Sequence, residues 1–527
     1  MRFFNTAGPV DCQRHYCLPP LERLQLNQVL PLIEQQKYFV LHAPRQTGKT
    51  SSLLALMKYL NAQGKYRCLY MNVEVGQAAR EDVAAAMRSI LNQLASRARI
   101  TLNDYFLDTI WADVLLKSSP HSALDEVLTQ WSAQDPKPVV LFIDEIDSLI
   151  GDTLISVLRQ LRAGYDKRPH HFPQSVILCG VRDVRDYRIH SASEKAIITG
   201  GSAFNIKAKS LKLGDFSRPE VERLYAQHTD ETGQIIQPDA LERVWELTQG
   251  QPWLVNALGY ETCFEMEAGQ DRQRPITEEL MEQAKENLIL RRETHLDQLI
   301  DKLQEERVQR VIEPVLAGNR LAEDFRQDDV NYVVDLGLIR RDVAGGIRLA
   351  NPIYQEVIPR ELAWTIQSGI AEQVAWYVNP DGRLDMTKLL VAFQEFFREH
   401  SEHWVERFQY KEAGPQLLLQ AFLQRIVNGG GRIEWEYGLG RMRTDLLVIW
   451  PYPGGVQKVV IELKVLHKTL EHTVTVGLEQ TWSYLDRCGA DEGHLVIFDR
   501  TPGKPWEEKL FQRQESSHDH LIQVWGM

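Results

Sequence analysis

Lys49, Thr50, Asp144 and Glu145 are of the types, and in the order, that phosphate and metal chemistry needs. The run Ala43-Pro44-Arg45-Gln46-Thr47-Gly48-Lys49-Thr50 fits the spacing G-x-x-x-x-G-K-[ST], with Ala43 where the first glycine usually stands. Backbone N–H groups of such a loop, and of the helix it opens, converge on an anion. Gly48 lets the backbone close around phosphates. Lys49 supplies a point charge for the β- and γ-phosphates, and Thr50 offers Mg²⁺ a hydroxyl. Ser51 follows at the helix start, so residues 43–51 are the expected nucleotide contact. Residues 138–147 form an apolar strand ending in acid, as a buried parallel strand would. Asp144 is placed to hold Mg²⁺ through water, and Glu145 to act as general base for an attacking water. The two motifs in this order imply ATP and Mg²⁺ as cofactors.

A second constellation lies near the end of the chain. Two apolar runs, 444–450 and 457–465, flank Pro451-Tyr452-Pro453-Gly454-Gly455-Val456. A hairpin centred on the Pro453–Gly454 bond sets Asp445 opposite Glu462, with Cβ atoms about 5 Å apart on one face. Lys464, two residues on, shares that face. Facing carboxylates repel unless a cation neutralises them. Oxygen ligands favour Mg²⁺ or Mn²⁺ over zinc, so Asp445 and Glu462 are candidate metal ligands and Lys464 a candidate to orient a water. A slip of one residue would put the acids on opposite faces. The apolar character of both strands argues against a solvated edge hairpin.

The elements around the first site alternate strand and helix. Strands are expected at 66–73 and 175–182 besides the two motif strands, and helices at 50–60, 78–98 and 153–165. This order predicts an α/β fold with a parallel sheet and helices on both faces. Ligands bind outside the carboxyl ends of such strands, where Asp144 and Arg182 fall. Arg162 and Arg182 are candidates to sense a γ-phosphate. An amphipathic helix at 24–33 is expected beside the nucleotide base. The ATPase core is read as 1–205 and a helical lid as 206–300. Residues 301–362 form a winged helix packed on the core, because Asp328, Asp329 and Asp335 would meet DNA phosphates with the wrong charge. Residues 363–409 make a helical connector whose aromatic stripe (Trp364, Trp376, Phe393, Phe396, Phe397, Trp404) is core. The last domain is 410–527.

The loop, the Asp144-Glu145 strand, the Arg182 strand end and the turn Gly250-Gln251-Pro252 resemble the AAA-like ATPases of the archaeal-ATPase and STAND branch, over about residues 20–360. That resemblance implies that Pro252, in the lid, contacts nucleotide. Asp445, Glu462-Leu463-Lys464 and the lead-in Gly438-Leu439-Gly440-Arg441 resemble the PD-(D/E)xK nuclease superfamily, over about residues 410–500. It implies a helix–strand–strand–strand–helix–strand order and a catalytic role for Gln480 on a helix near 477–486. Glu412 matches an additional acid of that family. Arg425, Arg432, Arg441, Arg443 and Lys468 could line a phosphate-binding rim.

The chain has 527 residues and a formal charge of −12, which disfavours nonspecific coating of nucleic acid. Its length asks for several domains. No apolar run reaches membrane-spanning length, and the first residues lack a secretory core. Six scattered cysteines imply a reducing, cytoplasmic setting without a disulfide framework. Cys12 and Cys17 flank His15, but a zinc site would need a second pair nearby. The expected protein is an ATPase whose nucleotide state controls a metal-dependent nuclease acting on DNA, with RNA left open. It has no membrane partner and forms a nucleotide-dependent homo-oligomer. The resemblance places it in phage defence or mobile-element biology. The alternative is a STAND-like switch or scaffold whose last domain binds DNA or protein without cleaving.

Overall fold

The computed structural model describes the whole chain except residues 184–187, 192–195, 200–203, 292–293, 304, 317–325, 342–345, 363–375, 408–418, 420–421, 424–430, 440–441, 467–468, 500, 502–503 and 519. The chain forms two compact units. One comprises Met1–Asp297, Arg326–Arg340 and Ala350–Ile353; the other comprises Gln298–Phe325, Arg341–Leu349 and Tyr354–Met527.

The first unit is built on strands β1 (Tyr38–His42), β2 (Arg67–Asn72), β3 (Val139–Asp144) and β4 (Ser175–Gly180), a small hairpin β5–β6 (Arg188–Ser191, Ala196–Thr199), and β7 (Lys207–Lys212). The sheet order is β2-β3-β4-β1-β7, every pairing parallel. Side chains alternate across it, because successive strand residues point to opposite faces. Val40, Leu69, Leu141 and Leu178 pack under the helices Val83–Leu102, Ala123–Ser132 and Gly151–Ala163. Phe39, Cys68, Phe142 and Ile177 pack against Leu26–Glu34 and Lys49–Ala62. With both faces covered, these strands read as continuous apolar runs. β7 differs. Its sequence Lys-Ala-Lys-Ser-Leu-Lys is half exposed, as an edge strand can be, and it extends the core sheet past residue 205.

After β7 comes a helical layer whose members include Arg218–Thr232, Pro238–Thr248, Pro252–Tyr260 and Glu278–Leu290. The N-terminal segment belongs to its core: Phe4, Tyr16 and Leu18 are buried with Val221, Leu224 and Tyr225. There the expectation of reduced cysteines is corrected. A turn in which Arg14 and His15 N–H both donate to Asp11 O brings Cys12 and Cys17 to a Cα separation of 5.1 Å, and their sulfurs are joined. The other four cysteines are thiols, three of them buried. The stretch 301–362 divides between the units. The helix Gln327–Asp335 and most of β8 (Ile339–Arg341) lie in the first, while β9 (Ile347–Leu349) lies in the second.

The second unit carries β10 (Arg432–Leu439), β11 (Met442–Tyr452), β12 (Gly455–Val465), β13 (Glu492–Phe498), β14 (Phe511–Ser517) and β15 (His520–Gly526). Their order is β10-β11-β12-β13-β15-β14. The first three form an antiparallel meander, and β13 runs parallel to β12 after the crossover helix Leu470–Cys488. β14 and β15 were not foreseen. One sheet face, with Leu446, Val448, Val459, Ile461 and Phe498, packs against Phe393, Phe396 and Phe397 of the helix Met386–Arg407. That helix is therefore a wall of this unit's core, not a spacer before it. The other face, with Leu447, Val460, Leu495 and Ile497, receives Val474, Tyr484 and Leu485 of the crossover helix. Within residues 415–427, only Leu419, Phe422 and Leu423 are described, all buried. Trp364, Glu412, Arg425, Arg441, Lys468 and the side chains of Trp404 and Arg443 lie outside the described residues. Among the described residues, no helix is long and apolar enough to cross a membrane.

Candidate functional site

β1 ends at His42, and the loop Ala43–Gly48 delivers the chain into the helix Lys49–Ala62 at the carboxyl edge of the sheet. Within the loop only Gln46 and Gly48 take positive φ, 56° and 91°. Ala43 is fully buried and keeps ordinary backbone geometry, its N–H donating to Gly180 O at 3.3 Å. A side chain at that position therefore costs no left-handed strain. Lys49 is 5% exposed and donates to Ala43 O (2.9 Å) and Pro44 O (2.8 Å), so its ammonium lies over the loop. Thr47 Oγ1 closes the loop onto Pro44 O at 2.8 Å. Arg45 is exposed, and Gln46 Oε1 is buried with no hydrogen-bond partner among the described residues. Ser51 Oγ accepts from Val10 N–H at 2.9 Å, tying the N-terminal segment to the helix start.

Asp144, at the end of β3, is fully buried. Its Oδ2 accepts from Thr50 Oγ1 (2.7 Å) and Tyr70 OH (2.9 Å), and its Oδ1 from Glu145 N–H (3.0 Å). A hydroxyl and a buried carboxylate in contact are hard oxygen donors, a set that fits Mg²⁺. Glu145 takes left-handed φ 55°, which turns it away from the strand line. Burial and the neighbouring Asp147 push its carboxyl above the usual range, and Lys49 opposes them. A carboxyl so raised is suited to accept a proton, the task of a general base.

Arg182 is 7% exposed. Its Nε lies 3.4 Å from Asp335 Oδ2, and its guanidinium stacks on Tyr332 at 4.8 Å. Both partners lie on the helix Gln327–Asp335, and the turn after it touches the loop: a Cβ on Gly337 would stand 2.7 Å from Pro44 Cγ. Arg162 is exposed near the end of its helix. Pro252 is the buried first residue of the helix Pro252–Tyr260, where Gln251 caps Leu254 N–H at 2.6 Å. Tyr70 and Arg23 were not foreseen. Arg23 NH1 donates to Thr47 O at 2.7 Å, and burial lowers its guanidinium to about 10, so it stays cationic at neutral pH. Neither residue carries a spacing signal, since each reaches the site through tertiary contact alone.

In the second unit Glu462 is 2% exposed and Lys464 Nζ lies 2.5 Å from its Oε1. The β11–β12 ladder pairs Leu446 with Ile461 and Tyr452 with Gly455. Gln480 is half-buried on the crossover helix, with Oε1 buried and no hydrogen-bond partner among the described residues. The Asp445 side chain lies outside the described residues, within which no group of three or more His, Cys, Asp or Glu gathers to hold a metal.

Among solved structures, the Walker-type ATPase paby2304 of Pyrococcus abyssi is similar at 15% identity, covering 67% of this chain and 99% of that one, with a TM-score of 0.46. Cdc6p from Pyrobaculum aerophilum is similar at 14% identity, over 67% of this chain and 96% of its own, with a TM-score of 0.36. The RuvB Holliday junction branch migration motor of Thermotoga maritima gives 13% identity, 64% and 94% coverage, and a TM-score of 0.33. No curated protein sequence matches the chain. The sequence pattern of the AAA-like domain matches residues 20–345, the span that holds the loop, β3 and the helical layer. A P-loop ATPase fold of this kind implies a nucleotide, usually with Mg²⁺. This chain belongs to the AAA-like domain family.

Proposed function

We propose that the protein binds and hydrolyses ATP with Mg²⁺, and that its nucleotide state controls a metal-dependent nuclease in the second unit acting on DNA. In the ATPase half, Lys49, Gly48 and the loop N–H groups hold the phosphates, Thr50 and Asp144 hold Mg²⁺, and Glu145 draws the proton from the attacking water. Arg182 senses the γ-phosphate, and Pro252, in the helical layer, contacts the nucleotide. In the nuclease half, Asp445 and Glu462 share an Mg²⁺ or Mn²⁺ ion, Lys464 steadies the attacking water or the developing charge, and Gln480 assists from the helix above.

One observation carries the nuclease reading. The β11–β12 register runs from Tyr452–Gly455 to Leu446–Ile461, and the same register carried one residue further on each strand would set Asp445 opposite Glu462. Glu462 is in turn bonded to Lys464 at 2.5 Å. Support also comes from the order of the unit, an antiparallel meander, a crossover helix and a parallel strand.

The test is a digestion of linear, circular and single-stranded DNA and of RNA, with Mg²⁺ or Mn²⁺, with and without ATP. Cleavage should depend on the metal, respond to ATP and stop in Asp445→Ala, Glu462→Ala and Lys464→Ala. The losses should be non-additive, because the three residues act as one unit. Cleavage surviving Asp445→Ala would overturn the site. No cleavage under any condition, with no metal bound by calorimetry, would leave a nucleotide switch that binds without cutting.

A further inference from the structure

Arg23 joins two parts of the first unit that the motifs treat separately. Its NH1 donates to Thr47 O in the phosphate loop at 2.7 Å, and its NH2 donates to Gly214 O at 2.7 Å. The guanidinium carbon stands 4.7 Å from the centre of the Phe216 ring. A Cβ on Gly48 would lie 2.7 Å from NH1, so the guanidinium rests against the loop glycine itself. Gly214 and Phe216 sit between β7 and the first helix of the helical layer. Phe216 N–H donates to Gly250 O at 2.8 Å, at the turn that leads into Gln251 and Pro252.

We infer that Arg23 is a positioning residue that couples the phosphate loop to the helical layer, so that each senses the state of the other. The inference rests on the ATP-binding reading above. In a planar trans peptide, C=O and N–H point in opposite directions. Holding Thr47 O on Arg23 therefore aims Gly48 N–H the other way, as an anion cradle needs. The same rigid fork holds Gly214 and stacks on Phe216, so a shift of the helical layer pulls on the peptide that orients this N–H. Coupling of this kind is reciprocal: nucleotide in the loop must also fix the residues around Gly214. Lysine could supply the charge but not a planar fork that bonds two carbonyls while stacking on a ring.

The experiment uses the full-length protein, ATP with Mg²⁺, calorimetry for affinity, and hydrogen exchange at residues 213–217 and 250–254 with and without nucleotide. In wild type, ATP should slow exchange in both segments. Arg23→Ala should bind ATP about 10- to 100-fold more weakly, the scale of a lost charged hydrogen bond. At saturating ATP it should lose the protection at 213–217. Arg23→Lys should recover part of the affinity and none of the coupling. Phe216→Leu should keep most of the affinity and weaken the coupling. Unchanged affinity and unchanged protection in Arg23→Ala, while Lys49→Ala loses ATP, would overturn the inference and leave the ATP reading standing. A wild-type protein that binds no ATP would overturn the ATP reading instead. If Arg23→Ala does not fold, Arg23→Lys decides: full recovery of affinity and protection would mean that charge alone matters and would overturn the coupling role.

Discussion

Thr50 Oγ1 donates to Asp144 Oδ2 across 2.7 Å, joining residues 94 positions apart in the chain. The contact exists because β1 and β3 both pair with β4 in parallel, so their carboxyl ends emerge on one edge. It brings the two motifs of the candidate site together, and Tyr70 OH, from β2 between them in sequence, donates to the same oxygen at 2.9 Å.

Lys49→Ala should abolish tight ATP binding. Its ammonium is buried over the loop, and loss of one buried partner of a charged group costs roughly 2–5 kcal/mol. Glu145→Gln should keep the affinity and stop turnover. Calorimetry and phosphate release separate the two; Glu145→Gln turning over at the wild-type rate would remove it from the base role.

Tyr70→Phe should raise the Mg²⁺ concentration needed to enhance ATP binding by roughly 10-fold or more, the range seen when a group supporting a metal ligand is removed. Tyr70 OH donates to Asp144 Oδ2 at 2.9 Å, the oxygen that Thr50 also contacts. Metal-free ATP binding should be unchanged. The check is calorimetric titration with ATP at several Mg²⁺ concentrations; identical metal dependence in both proteins would refute it.

Acid should destabilise the first unit through His295. Burial holds this imidazole at about 3, stacked on Trp253 at 4.8 Å, whereas its ordinary value is 6.5. Between those values the unfolded chain binds the proton and the folded chain does not. Stability from this group is thus complete above pH 6.5 and is lost as pH falls toward 3, by up to about 1.4 kcal/mol per pH unit. Melting curves from pH 7 to 5 should fall more steeply in wild type than in His295→Phe; parallel curves would contradict this.

Gly477→Ala should destabilise the second unit by roughly 1–3 kcal/mol, the usual cost of overpacking. A Cβ there would stand 2.5 Å from Leu495 Cδ1, where the crossover helix meets β13. Denaturant unfolding measures the effect. A variant as stable as wild type would show that Leu495 moves aside at no cost.

Local chemistry made much of this legible from sequence. The apolar runs of β1, β3 and β4 are continuous because both faces of that sheet are covered, and the strand-loop-helix at Lys49 follows from residue type and spacing. The hairpin register was equally readable, since a turn centred on Pro453–Gly454 fixes every pair between β11 and β12. Tertiary structure alone decided the rest. β7 is rich in lysine and looks like loop; only pairing with β1 makes it a sheet strand. The helix Met386–Arg407 has an aromatic face whose destination, the sheet of the second unit, its own sequence does not name. Arg23 precedes the expected helix and carries no spacing signal, and its hydrogen bond to Gly214 spans 191 residues. Periodicity and turn chemistry act over a few residues, so a sequence determines them locally. Which distant carbonyl receives a guanidinium is set by how the whole chain packs.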